Sequence, residues 1–131
     1  MFGACLIALA LFAGNRADIA VARQGKFDLR ETTITEIHAA MQRGELTCET
    51  LVRQYIARIQ NFDQRTGLNS VVLINPAVIQ RARALDAAFQ SDGRLRPLHG
   101  IPVVVKDNYD TFDMPTTAAT IALAGFVPSD D

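Results

Sequence analysis

Lysine is scarce in this sequence. Thirteen residues are Lys or Arg, yet only Lys26 and Lys106 are lysine. Arginine keeps its proton in proteins, so an amine base has just two possible positions. Cysteine is equally sparse: Cys5 and Cys48 cannot build a disulfide framework. The serines are Ser70, Ser91 and Ser129, and none stands in a Gly-x-Ser-x-Gly elbow. No Gly-rich phosphate loop is present. The net charge is -1 and basic runs are missing, which argues against a nucleic-acid partner. Asp107, Asp110 and Asp113 lack the central glycine and closing glutamate of a calcium loop. Neither a metal nor a cofactor is expected.

The 131 residues suffice for one domain. With 49% hydrophobic and 21% charged residues, the composition is globular rather than disordered. Phe2 to Gly14 form an apolar run too short to span a membrane. Ala20-Val21-Ala22 then gives a small-x-small cleavage pattern before Arg23. Residues 1–22 read as a secretory signal peptide, although Met1-Phe2-Gly3 carries no basic residue; the alternative is an ordinary buried helix. The first reading places the mature chain, 23–131, outside the cell or in a periplasm, with no membrane span after cleavage. Cys48 then has no partner for an internal disulfide.

Thr33-Ile34-Thr35-Glu36 is a capping box, and Ile34, Ile37, His38 and Met41 follow at helical spacing until Gly44. Thr47 caps a second helix, with Leu46 and Leu51 placed as a hydrophobic staple. Leu51, Val52, Tyr55, Ile59 and Phe62 give that helix one apolar stripe. Cys48, at its first turn, reads as a small buried hydrophobe rather than a reactive thiol. His38 reads as a core or boundary residue, because no second metal ligand lies at helical spacing.

Ser70 to Ile74 (SVVLI) reads as a buried strand. Asn75 caps a third helix with Pro76 at its first position, and Val78, Ala82, Leu85 and Phe89 face inward. Arg81 and Arg83 face solvent. A second strand runs through Val103-Val104-Val105 and ends on Lys106, with Gly100 and Pro102 before it. Strand, helix, strand with short links predicts a right-handed crossover between parallel strands. Ligands of open α/β sheets bind at the carboxyl ends of strands, where Lys106 would stand.

As a general base Lys106 must be neutral. That requires its pKa to fall by roughly 3 units from about 10.4. Burial beneath the valines would supply this, and Asp107 next to it would oppose it unless turned to the other face. The competing reading is a strand-end lysine that reaches solvent or pairs with Asp107, Asp110 or Asp113. An exposed amine after wet, unpaired valines would sink the catalytic account of Lys106 and leave only a family likeness.

The run Pro97-Leu98-His99-Gly100-Ile101-Pro102 through Lys106-Asp107-Asn108, then Met114-Pro115-Thr116-Thr117-Ala118, resembles the amidase signature family. The resemblance covers roughly Asp28 to Asp131. It implies an α/β fold in which N-terminal helices precede the start of a mixed β-sheet with flanking helices. It also implies hydrolysis of a small-molecule amide by a serine, cis-serine and lysine triad, with Lys106 as the base. In that family a neutral lysine acts through the cis-serine on the nucleophile, and backbone amides hold the oxyanion. The family usually continues Thr-Thr-Ala with Gly-Ser, whereas Ala119-Thr120 stand here. Its Gly/Ser-rich signature is missing, so residues 23–131 are expected to be the incomplete N-terminal part of an amidase-type domain, inactive alone. One alternative is the ammonia-releasing component of a glutamine-dependent amidotransferase. Another is a non-catalytic module that binds or dimerises through an open sheet edge, a possible homo-oligomer.

Overall fold

The computed structural model describes residues 27–131. The expected signal peptide lies outside them. Among the described residues three α-helices carry the fold: α1 (Ile34–Gln42), α2 (Cys48–Arg58) and α3 (Val78–Asp92). Among the described residues no helix is long and apolar enough to cross a membrane.

Local chemistry starts the first two helices. The Thr33 hydroxyl accepts from the Glu36 amide, and the Glu36 carboxylate accepts from the Thr33 amide at 2.7 Å. That reciprocal bonding holds the Glu36 carboxyl below its ordinary range. Thr47 caps α2 through the Thr50 amide at 3.0 Å. Leu46 and Leu51 are both buried, as a staple across that cap requires.

The second cap comes from far along the chain. Asp86, in the middle of α3, accepts from the Cys48 amide at 2.7 Å and the Glu49 amide at 3.0 Å. One carboxylate thus satisfies two of the unpaired donors at the start of α2, where the helix dipole favours negative charge. Arg83 on α3 reaches Glu49 on α2 at 2.9 Å, and Arg53 reaches the same carboxylate at 2.7 Å. Among the described residues α2 and α3 form the most extensive helix pair.

Ile37, Ala40, Met41, Leu46, Cys48, Leu51, Val52 and Ala82 form the core. Val78, Leu85 and Ile101 pack against it from the edge. Of the expected inward face of α3, Ala82, Val78 and Leu85 reach the core, while Phe89 meets the His99 ring. The expected Asn75 cap is not formed: α3 starts at Val78 after Ala77, and Asn75 instead accepts from the Ala77 amide at 2.8 Å in the turn before the helix. The α2 stripe departs from expectation at its far end. The chain passes into a π-helical turn at Ile59–Gln64, and Phe62 is 64% exposed. The wider turn rotates Phe62 away from the core and brings Asp63 inward instead. Asp63 is buried and accepts from the Ser70 amide at 2.7 Å, the Ser70 hydroxyl and the Val71 amide.

The expected sheet is not formed among the described residues. Neither Ser70–Ile74 nor Val103–Val105 carries strand structure, and no backbone ladder joins them. Val72 is 81% exposed and Val104 83%. A strand cannot satisfy its own backbone, so an apolar run without a paired neighbour has no ladder to join. The described fold is helical, followed by irregular chain with one 3-10 turn at Ile121–Leu123.

Candidate functional site

The turn Pro97–Gly100 connects α3 to the Val103 run and is pinned to the core at both ends. His99 is buried; its Nε2 donates to the Leu85 carbonyl at 3.1 Å, and its ring meets Phe89 at a tilt. His38 Nε2 donates in turn to the His99 carbonyl at 3.0 Å. The two histidines, read separately from the sequence, are one structural chain linking α1, the turn and α3. The sequence shows no partner for His99 because both its contacts depend on tertiary packing.

Gly100 adopts φ +70, and a Cβ built on it would collide with Cys48 Sγ. Only glycine fits this approach. Cys48 is fully buried, and its thiol is pushed up to about 12 by burial first and by Asp86 second. It is the inert core residue expected, not a nucleophile.

Beyond Pro102 the chain emerges from the core. Lys106 is exposed, and Val103 and Val105 before it are also exposed. The described residues therefore do not provide the burial that a neutral lysine needs, and the desolvation argument for Lys106 as a base does not hold in this chain. The competing ion pairs are not formed either. Among the described residues no carboxylate pairs with the Lys106 amine. Asp113 is held by Arg81 at 2.7 Å and Asn75 at 2.5 Å.

Asp107 is engaged by the following loop. Its carboxylate accepts from the Thr117 amide at 3.0 Å, the Thr117 hydroxyl at 2.5 Å and the Ala119 amide at 3.2 Å. Its carbonyl accepts from the Ala118 amide at 2.9 Å. The Thr117 hydroxyl, the loop amides and, last, the Lys106 charge hold the Asp107 carboxyl below the ordinary range. Ala118 and Ala119 occupy the left-handed region at φ 46 and 58. The sequence carries no signal of this clamp beyond the Thr-Thr-Ala string, because its partners lie about ten residues apart.

Thr116 is buried, donates its hydroxyl to the Tyr109 carbonyl at 3.1 Å, and closes a backbone bond to Phe126. Among the described residues no group of three potential metal ligands converges. No serine contacts Lys106 there, and the Ser70 hydroxyl is committed to Asp63. An open groove beside α2, lined by Phe27, Leu29, Gln54, Arg58 and Phe62, contains none of the residues around Lys106.

Known proteins resemble this chain along the same stretch. The Amidase family model matches residues 50–131. A glutamyl-tRNA(Gln) amidotransferase chain from Chloroflexus aurantiacus is 38% identical over 101 residues, covering 77% of this chain and 20% of that protein. A mandelamide hydrolase from Pseudomonas putida is 32% identical over 102 residues, covering 77% of this chain and 20% of that one. The crystal structure of an amidase family protein from Bacillus anthracis superposes with a TM-score of 0.72 at 35% identity. That superposition covers 92% of this chain and 24% of the other. The chain spans about a fifth of the length of the curated relatives it matches.

Proposed function

Because this chain belongs to the amidase signature family, we propose that it contributes Lys106 as the general base of an amide-hydrolysing site. The observation that supports this is the family match running through the whole His99-to-Ala118 motif. Burial does not support it, since Lys106 and its valines are wet in this structure. The base becomes competent only when further polypeptide covers the Val103–Val105 run and brings a nucleophilic serine and a cis-serine to the amine. The 131 residues alone hydrolyse no amide on this reading. Residues 1–22 act as an export signal, which N-terminal sequencing of the mature protein tests.

Two measurements test the assignment. A serine-directed fluorophosphonate should leave the isolated chain unlabelled; stoichiometric labelling would mean that a nucleophile is already in place. In an assembled, active amidase domain containing this chain, Lys106→Ala should abolish turnover while leaving far-UV circular dichroism unchanged. Full turnover in that variant removes Lys106 from the mechanism.

The Chloroflexus similarity favours a second reading, in which the amide is glutamine and the ammonia passes to a partner enzyme. Hydrolysis of simple carboxamides without glutamine preference, together with a cleaved leader, would decide for the first.

A further inference from the structure

The loop after Lys106 is built more firmly than a connector needs. The Lys106 carbonyl accepts from the Tyr109 amide at 3.0 Å, and the Asp107 carbonyl takes the Ala118 amide at 2.9 Å. The Asp107 carboxylate then takes three more donors from Thr117 and Ala119. Two alanines are held at positive φ to make this possible. Non-glycine residues stay in that region only when their surroundings over-determine them.

The chemistry gives this arrangement a purpose. An aspartate beside a lysine is one of the carboxylates that could pair with it. Pairing would keep the amine charged and unable to accept a proton. The other acids of the segment are Asp113, which is committed to Arg81 and Asn75, and Asp110, which is exposed. Only Asp107 is both adjacent to Lys106 and fully engaged by a loop.

We propose that Asp107 is a positioning residue for Lys106: by clamping Thr117 and Ala119 it fixes the backbone that carries the amine and keeps its own charge from pairing with it. This assignment rests on Lys106 being the base, and the test separates the two claims. Reductive methylation of the 131-residue chain with 13C-formaldehyde labels Lys26, Lys106 and the terminal amine, and Lys106→Arg assigns the Lys106 signal. In Asp107→Ala and Thr117→Val the Lys106 dimethylamino signal should shift and sharpen, while that of Lys26 stays fixed. Asp107→Asn keeps one acceptor oxygen and should restore most of the wild-type signal. Thr117→Val deletes only a hydroxyl donor, so it decides the matter if Asp107→Ala unfolds. An unchanged Lys106 signal in Thr117→Val overturns the clamp.

In an active assembled domain, Thr117→Val should lower kcat by about tenfold with KM little changed, as expected of a misplaced catalytic group. A change in KM alone overturns positioning. Unimpaired hydrolysis in Lys106→Arg sinks the base assignment instead, and the methyl signals still decide the clamp.

Discussion

Leu51 and Val104 are both aliphatic and both sit in the middle of an apolar pattern, yet Leu51 is 0% exposed and Val104 83%. The first belongs to a helix, the second to a run of valines. A helix closes its backbone hydrogen bonds within itself, so α1, α2 and α3 can bury apolar residues without a ladder partner. A strand requires a neighbour before it exists at all. The helical cluster is accordingly finished within the described residues. The segment from Val103 onward holds its shape through turns, the Asp107 clamp and the Arg81–Asp113 pair, while Val103, Val104, Tyr109, Ile121 and Phe126 face outward.

The contrast can be broken most directly by paired truncation. Leu51→Ala should cost about 3 kcal/mol in urea unfolding, because a fully buried leucine leaves a cavity. Val104→Ala should stay within about 0.5 kcal/mol. Equal losses would mean that the valine run is buried in solution and the comparison is mistaken. Gly100→Ala should cost about 2 kcal/mol or more, since the new methyl overlaps Cys48 Sγ at a backbone angle alanine avoids. Adding Cys48→Ala should recover part of that loss, which a double-mutant cycle would show as coupling. Asp86→Ala should cost about 1 to 2 kcal/mol by baring two helix-start amides. Thermal denaturation of that variant beside Glu45→Ala, an exposed control, checks it.

On the irregular side the sign reverses. Ala119→Gly should stabilise the loop, by up to about 1 kcal/mol, because glycine adopts φ 58 without strain. A loss of loop-amide protection from hydrogen exchange would contradict this. The smallest effect is electrostatic. The Glu49 carboxyl falls from its ordinary 4.5 to about 2 through Arg83 first and Arg53 second. Its folded value lies below its unfolded one, so its contribution is present above about pH 4.5 and lost as pH falls toward 2. Glu49→Gln should flatten the acid limb of stability over that window, and an unaltered limb would show that the α2–α3 ion pair is inert. Such pairs are solvent-exposed, so the change will be modest.

How much was readable in advance follows the range of each contact. Thr33 with Glu36, and Thr47 with Thr50, are separated by three residues, and both caps were legible. So were the buried state of Cys48 and the inward face of α3. Asp86 on the Cys48 amide spans 38 positions, and Phe89 against His99 depends on how a turn folds back. No periodicity encodes such meetings. The π-helical turn that exposes Phe62 was equally silent, since its sequence continues a regular helical stripe. For the valine run the sequence indicates a strand-former, but a propensity for strands is only half of a strand. Lys106 stands out by motif alone, and its surroundings in this structure add nothing to its claim on a proton.

The Asp86 carboxylate has a consequence for how the molecule comes into being. During synthesis α2 leaves the ribosome well before residue 86 does, with its opening amides bare. The start of α2 is therefore provisional at that stage, and it becomes durable only when the middle of α3 arrives to complete it.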